Sequence, residues 1–197
     1  MSYVRFPHTE GRYATLELNQ VAFPKTGMVV SQTPLGASFT AAAPCENGMW
    51  VVADKAAGAI NEPTAVTDKP LGIVYTSEKE YDVFHYGLNT FGRKVAGDYP
   101  RVGILGIGDT VTTNCLQYDT GVFADEAAMD TYFADPTHVA YVLPGIDSTN
   151  ITGAARAIPR IVKALPSEYA GAYAKVVKYY TVPNGEKGIK YQIISLG

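Results

Sequence analysis

The sequence has few charged residues and few of the residues that usually carry catalysis or bind metals. Asp, Glu, Lys and Arg make up 18% of its 197 residues, below the quarter or so that is typical of globular proteins. The net charge is −3, so we expect no nucleic acid on a broad basic face. The three histidines and two cysteines form no Cys-x-x-Cys, His-x-Glu or His-Glu-x-x-His motif. The sequence therefore predicts no metal and no cofactor.

The small number of charges has two explanations, which the sequence leaves open. A partner could cover part of the surface, because large uncharged patches on soluble proteins often mark interaction sites. Alternatively, the chain could have a larger core, or a β surface coated with Thr and Ser.

Long apolar runs and a cysteine framework are also missing. No run approaches the roughly 20 apolar residues of a membrane helix, and the first residues lack the apolar centre of a secretory signal. Cys45 and Cys115 could pair only once, and we expect both to be free thiols in a protein made in a reducing compartment. These features predict a soluble protein with no membrane contact.

The residues that are abundant favour a mainly β fold. The chain has 19 glycines, 12 prolines and 14 tyrosines, a composition typical of many short strands joined by turns. Two apolar stretches are expected in the core: residues 49–53, which include Trp50, and residues 71–75. The loop between them, at 55–68, is expected to be exposed. Further strands are predicted at 81–86, 93–96, 101–105, 110–114, 117–118, 138–143 and 158–165.

One helix and one hairpin stand out in the second half of the chain. Residues 125–134 start with two acids, which the helix dipole favours. Met129, Tyr132 and Phe133 recur at the spacing of one helical face. Near the C-terminus, residues 172–182 and 189–194 flank a Pro-Asn-Gly turn, and the second stretch alternates with Ile189, Tyr191 and Ile193 facing inward. A C-terminal hairpin spanning residues 172–195 is therefore predicted.

Residues 1–45 differ from the rest because prolines and glycines interrupt them closely. Proline biases its neighbours towards extended conformations, so we predict an extended N-terminal arm over 1–45 and a β-rich domain over 46–197. An ordinary first hairpin is the alternative. If the arm is peripheral, deleting residues 1–30 should leave the β domain folded.

The search for chemistry leaves no strong catalytic candidate, and we expect no enzyme and no catalytic residue. The glycine-rich stretch at 102–110 lacks the lysine of a phosphate-binding loop and carries Asp109 in its place. Its expected structure is a strand, a tight turn and a second strand. An enzyme would need titratable residues that converge in a pocket, and His85, Asp82 and Asp109 would be the first to inspect.

Three stretches of this chain resemble the head-decoration, or capsid cement, proteins of tailed bacteriophages. The first is the glycine, apolar run and acid at residues 48–54, and the second is Lys-Pro-Leu-Gly-Ile-Val at 69–74. The third is Gly-Asp-Thr-Val-Thr-Thr-Asn at 108–114, similar to segments of related phage structural proteins. The resemblance covers about a third of the chain.

The resemblance implies a small β-barrel or β-tulip-like domain, often a homotrimer, made in the host cytoplasm and placed on the capsid surface of the virion. The implied function is non-enzymatic: such a protein binds the major capsid protein and stabilises the head by bridging capsid subunits. We expect the arm to supply partner contacts, and its candidate contact residues are Tyr3, Arg5, Phe6, Tyr13 and Phe23. The alternative is a tail or head-fibre module that binds a receptor or carbohydrate.

Overall fold

The computed structural model describes residues 3–6, 13–17, 21–76, 95–146, 153–181 and 185–197. Within these residues the chain forms eleven strands, one α-helix and one 3-10 helix, and no helix is long and apolar enough to cross a membrane. The elements in chain order are β1 (Tyr3–Arg5), β2 (Val29–Val30), β3 (Trp50–Val52), β4 (Leu71–Val74), β5 (Val102–Ile104), β6 (Thr110–Thr113), β7 (Gln117–Asp119), α1 (Glu126–Ala134), β8 (Tyr141–Leu143), the 3-10 helix (Gly153–Ala157), β9 (Arg160–Val162), β10 (Ala172–Thr181) and β11 (Lys187–Leu196).

Seven strands form the larger sheet, in the order β1-β7-β9-β8-β10-β11-β6. Neighbours are antiparallel except for β7 and β9, which are parallel. The longest pair is the C-terminal hairpin of β10 and β11, with ten residues in each strand. Ile189, Tyr191 and Ile193 are at most 1% exposed, so the predicted hairpin and its inward face are confirmed.

The seven-stranded sheet is strongly curled. In a flat sheet β6 and β7 would lie five strand spacings apart, or roughly 24 Å. Only residues 114–116 join them, and the four Cα–Cα steps from Thr113 to Gln117 reach roughly 15 Å at most. The sheet must therefore bend so that its two ends approach each other.

The smaller sheet has four antiparallel strands in the order β2-β5-β4-β3. Its residues alternate between two hydrophobic cores: Trp50 and Ile73 belong to the first, and Val51 and Val74 to the second. The strands of a sheet that is buried on both faces have continuous apolar sequences, which explains the unbroken apolar stretches at residues 49–53 and 71–75. Half of the residues of the loop at 55–68 are exposed, so the predicted exposure holds in part: Ile60 and Pro63 are buried, and Ile60 forms a β-bridge with Leu35.

The first core is formed by residues of both sheets and is rich in aromatic side chains. Trp50 is fully buried, as predicted, and its indole N–H donates to the hydroxyl of Tyr191 at 2.9 Å. The second core, beyond the four-stranded sheet, is built from smaller side chains around Phe39.

The helix α1 closes one side of the first core. Asp125 caps its N-terminus by accepting a hydrogen bond from the Ala128 N–H at 2.8 Å. Met129 is fully buried, while Tyr132 and Phe133 are half-buried against the core. The helix ends before Asp135, which precedes a proline and is extended.

The N-terminal residues lie on their own chain. β1 pairs with β7, and the Phe6 N–H donates to the Leu116 carbonyl at 2.9 Å. Further along, the Glu17 N–H donates to the Thr112 carbonyl at 3.0 Å. The segment therefore runs antiparallel to the continuous stretch formed by β6 and β7. These contacts argue against a peripheral arm, although the division of the chain at residue 45 stays a prediction.

The mainly β class with one short α-helix is confirmed, but the described strands do not close into the barrel that the resemblance implied. β1 and β6 are the two edges of the larger sheet, and no ladder joins them. The N-terminal segment supplies one edge as β1 and passes beside the other edge, β6, without completing the closure, since among the described residues its backbone pairs with β6 through an isolated bridge from Leu16 to Thr113. The predicted strand at 81–86 and the start of the one at 93–96 lie outside the described residues.

Candidate functional site

The five residues predicted to contact a partner do not form a shared exposed surface. Phe6 and Phe23 are 1% and 4% exposed and belong to the first core. Tyr3 and Tyr13 are half-buried, and the Tyr3 hydroxyl accepts a hydrogen bond from Arg160 at 3.3 Å. In this conformation the two phenylalanines offer no side-chain surface to a partner.

Arg5, the fifth predicted contact residue, is engaged within the chain by Glu46. The guanidinium group donates two hydrogen bonds to the Glu46 carboxylate, one of them at 3.0 Å. The same carboxylate accepts from the Ala14 N–H at 2.9 Å. Burial alone would lower the pKa of Arg5, but the bonds to Glu46 and its charge raise it overall. The pair therefore fixes the N-terminal segment, and Arg5 stays charged.

Cys115 lies close to this pair and is not a reactive nucleophile. Both cysteines are free and buried, as predicted. Burial raises the pKa of the Cys115 thiol far above its ordinary value, and the negative charge of Glu46 raises it further. A thiol must lose its proton to react, so Cys115 behaves as a small apolar core residue.

Of the three residues named for inspection as catalytic candidates, only Asp109 lies in the part of the chain that the structure describes. His8, Asp82 and His85 lie outside the described residues. His138 is exposed just after α1. Across the described ranges, no group of three or more His, Cys, Asp or Glu side chains could hold a metal ion.

The glycine-rich stretch folds into the predicted strand, turn and strand. β5 leads into a turn in which the Asp109 N–H donates to the Gly106 carbonyl at 3.1 Å. The Gly106 N–H donates back to Oδ2 of Asp109 at 2.7 Å. Gly108 has φ +95°, a left-handed conformation in which a side chain would be strained. We call this element the glycine turn, residues 106–109.

The glycine turn fastens the two sheets together. The Gly108 N–H donates to the Ile193 carbonyl at 2.8 Å, and the Ile193 N–H donates to the Asp109 carbonyl at 2.9 Å. These bonds attach the turn to β11 of the larger sheet, while β5 belongs to the smaller one. The position of the turn is therefore set from both sides.

A cavity of about 170 Å³ lies beside the glycine turn, lined by residues 21–24 and 108–111. Phe23 forms part of its wall and has φ +44°, which is rare and costly for a bulky residue. Its ring packs on Tyr75 with centroids 5.0 Å apart, and it fills the place where a Cβ on Gly103 would stand. Packing thus holds the strained backbone in place, so the cavity wall is preformed.

Three exposed apolar side chains lie on the two segments that line this cavity, where one segment enters β2, an edge strand, and the other forms the glycine turn. Met28 is 52% exposed, Val29 40% and Ile107 60%. The Met28 carbonyl accepts from the Ile104 N–H at 3.0 Å, and the side chain of Lys25 lies against Gly106. We call this region, made of residues 24–25, 28–29 and 107, the β2 edge surface. An exposed apolar strand edge can pair with a partner chain.

A second surface feature is a stack of aromatic rings around α1. Tyr132 stacks on His138 at a centroid distance of 4.3 Å, and Phe133 stacks on Tyr179 at 4.8 Å. Asp130 accepts a hydrogen bond from the Tyr179 hydroxyl at 2.8 Å. Beside the stack lies a groove of about 250 Å³ lined by residues of α1, of the turn after it and of β10.

No protein family, curated protein or solved structure matches this chain. The sequence indicated the glycine turn, but it did not indicate the β2 edge surface. Met28 and Val29 belong to a short apolar run with Val30, and Ile107 stands between two glycines, so no periodic pattern marks them as exposed.

Proposed function

We propose that this chain is a structural protein of a tailed-phage virion that acts without catalysis. In this proposal it binds the major capsid protein on the outer capsid lattice and stabilises the head by bridging neighbouring subunits. The resemblance at residues 48–54, 69–74 and 108–114 supports the family, and the β2 edge surface is the observation that carries the binding role.

The β2 edge surface suits binding to a lattice for two reasons. Val29 pairs on one side only, with Gly103 of β5, which leaves its other edge for main-chain hydrogen bonds with a partner strand. Met28 and Ile107 are each more than half exposed and add apolar area to this surface. An interface core depleted of charged residues is typical of protein contacts, and Lys25 is the one charged residue of this surface.

The attachment of the surface to both sheets suits a mechanical role. A cement protein has to transmit load between subunits, so its contact surface must not move relative to its core. The glycine turn is bonded to β11 at Ile193 and continues into β5 and β6. The β2 edge surface therefore belongs to the same packed body as both cores.

A single β2 edge surface is small compared with a standard stable interface, which buries roughly 800 Å² on each partner. Three copies around one lattice position would multiply the contact area, which agrees with the homotrimer that the resemblance implies. Light scattering of the purified chain is expected to give the mass of a trimer. A monomer would restrict the proposal to trimers that form on the shell.

The direct test is binding to empty, expanded shells of the virus that encodes the chain. The wild-type protein should co-sediment with shells to a saturating, symmetric stoichiometry. The double variant Met28→Glu, Ile107→Glu should lose binding, because it places two charges at the centre of the proposed contact. Both positions are exposed, so the variant should still fold.

A matched control is Val177→Glu. Val177 is 59% exposed and stands at a bulge of β10 beside the α1 groove, away from β2. This variant should bind shells as well as the wild type does. Full binding by the double variant would overturn the role of the β2 edge surface, and absence of wild-type binding would overturn the capsid proposal itself.

The α1 groove favours a second candidate function, a receptor- or carbohydrate-binding module of a tail or head fibre. Aromatic side chains with nearby polar groups suit sugar rings, and Asp135, His138 and Tyr179 all line this groove. Trp50 cannot serve this purpose because it is fully buried. A glycan-array signal that disappears in His138→Ala but persists in Met28→Glu would favour this function over capsid binding.

A further inference from the structure

We propose that the open edge of β2 receives an extended segment of the capsid subunit, which adds to the four-stranded sheet as a fifth strand and places an acidic side chain beside Lys55. The inference deepens the proposed function and rests on it for the source of the segment. The recognition chemistry itself, a peptide strand that carries a carboxylate, follows from the main-chain groups and the charge along this edge.

The first observation is the register of β2, which turns the peptide groups of Val29 outward. The Ile104 N–H donates to the Met28 carbonyl at 3.0 Å, and Val29 lies opposite Gly103. Because bonded and non-bonded positions alternate along an antiparallel pair, Val29 is at a non-bonded position. Its N–H and C=O therefore point away from β5.

These two groups have no partner within the part of the chain that the structure describes. β2 is the last strand of its sheet, and neither the N–H nor the carbonyl of Val29 forms a hydrogen bond with another described residue. Val29 is 40% exposed. An extended peptide that adds to a sheet edge gains its affinity from main-chain groups of this kind, so the edge is suited to a strand.

The second observation is a groove of about 290 Å³ along the same stretch, lined by residues 29–33 and Lys55. Ser31 and Gln32 are exposed, so the groove opens to solvent. Its lining follows the chain for five consecutive residues, about the length of an ordinary strand. A segment that pairs with Val29 therefore runs past this groove, and one of its side chains can extend into it.

The charge of the groove selects an acidic side chain. Lys55 is exposed and is the one charged residue of the lining. It forms no ion pair with another described residue. Its ammonium group, on a flexible stem, can pair with a carboxylate of the segment, whereas a basic side chain at this place would meet a like charge. Strand pairing thus restricts the partner to a peptide, and Lys55 restricts the side chain to an acid.

The first test uses the isolated full chain and amide hydrogen exchange followed by NMR. After correction for local sequence, the Val29 amide should exchange at least about tenfold faster than that of Val30, because Val30 is paired with Val102 in the ladder and a bonded amide is protected. Equal protection of the two amides would mean that the edge is already covered, by this chain or by a second copy. That result would overturn the proposal.

The second test removes the outward N–H with Val29→Pro. Proline is tolerated on an edge strand where the N–H faces solvent, so the variant should fold. It should bind shells at least about tenfold more weakly than the wild type, because a carbonyl of the added strand loses its donor. The matched control Val29→Thr keeps the N–H and a branched side chain of the same shape, and it should bind within about threefold of the wild type.

A backbone ester at Val29, introduced with the α-hydroxy analogue of valine, replaces Val29→Pro if the proline variant fails to fold. The ester keeps the side chain, removes the same N–H and should cause the same loss of shell binding. If the wild type binds shells and the variant without the N–H binds them equally well, strand addition is overturned, while the capsid proposal stands.

Lys55→Gln tests the acidic side chain of the segment. The variant should weaken shell binding by up to about fivefold, as expected for an exposed ion pair, and should make binding less sensitive to salt. The matched control is Lys175→Gln, which removes an exposed lysine of β10 and should change neither quantity. Unchanged affinity and salt dependence in Lys55→Gln would overturn the choice of an acidic segment.

A peptide probe separates this inference from the proposed function. An acetylated and amidated Thr-Val-Glu-Val-Thr peptide should shift and protect the Val29 amide of the isolated chain. Its Thr-Val-Lys-Val-Thr counterpart should bind at least about fivefold more weakly. If the chain binds the acidic peptide at Val29 but binds no shell, the capsid source and the proposed function both fail, while the strand site remains. If it binds neither, both proposals fail.

Discussion

The N-terminal segment and the C-terminal hairpin belong to the same sheet, but they are held in it in different ways. The hairpin pairs two stretches that are neighbours in the sequence, with ten residues in each strand. The N-terminal segment pairs with only three residues of β7 and reaches β6 through a single bridge from Leu16 to Thr113. Its position depends on side chains: the Arg5–Glu46 pair and the buried rings of Phe6 and Phe23.

This difference shows that a segment can look like a loose arm in the sequence and still be part of the core. The hairpin is specified by its local sequence, because alternating apolar residues and a turn lie within it. The N-terminal segment is specified by partners 41 and 99 residues away, Glu46 for Arg5 and Asn114 for Thr15. Removing a few of these groups should therefore release the segment.

Deleting residues 1–30 should unfold the protein. The deletion removes the buried side chains of Phe6, Leu16, Phe23 and Val30, and losing a single buried phenylalanine side chain typically costs about 3–5 kcal/mol. The combined loss is as large as the roughly 5–15 kcal/mol by which a typical domain is stable. Circular dichroism should show no cooperative thermal transition. A truncated protein with a wild-type melting curve would restore the peripheral arm expected from the sequence.

Glu46→Gln should destabilise the chain by about 2–4 kcal/mol, because it leaves the partly buried guanidinium group of Arg5 without its counter-charge. Urea unfolding measures the loss of stability. The amide proton of Ala14, whose hydrogen bond Glu46 accepts, should also exchange faster with solvent. The control is Glu168→Gln, which should stay within about 0.5 kcal/mol of the wild type. A Glu46 variant as stable as the control would mean that the pair does not hold the segment.

Tyr191→Phe probes the hairpin side of the comparison and should cost about 1–3 kcal/mol, because the buried Trp50 N–H loses its acceptor. Tyr173→Phe, on a half-buried ring of β10, should be nearly neutral.

Burial raises the pKa of Tyr191 above its ordinary value of 10.0. The unfolded chain then releases the proton first, so wild-type stability should fall above about pH 10, and less steeply in Tyr191→Phe. Equal slopes for the two proteins would contradict the assignment.

Asp130→Asn should have the smallest effect, below about 1 kcal/mol, because its bonds to Tyr179 and Lys187 lie at the surface. The hydrogen bond from Tyr179, and then the contact with Lys187, lower the pKa of Asp130 below its ordinary value of 3.8. The stabilising contribution of Asp130 is therefore fully present above about pH 3.8, and it is lost as the pH falls through the lower pKa of the folded state. Acid titration of stability should show a smaller loss in the variant. A large effect at pH 7 would mean that the aromatic stack on α1 depends on this one carboxylate.

The sequence predicted those elements that local pattern specifies. The hairpin of β10 and β11, the helix α1 and the strand-turn-strand at the glycine turn were all predictable, because each has a period or a turn signal. The burial of Phe6 and Phe23 was not, since isolated aromatic residues between prolines and glycines have no periodicity. Nor was the environment of Asp109, whose Oδ1 is buried without a hydrogen-bond partner among the described residues, because it depends on which groups of distant residues reach it. No spacing in the sequence contains that information.

The most direct test is a cryo-electron microscopy reconstruction of empty, expanded shells incubated with the wild-type chain. The capsid proposal predicts ordered density on the outside of the shell at positions of lattice symmetry, with Met28 and Ile107 facing the capsid subunits. Bare shells under saturating protein, or density in which the β2 edge surface faces the solvent, would contradict it.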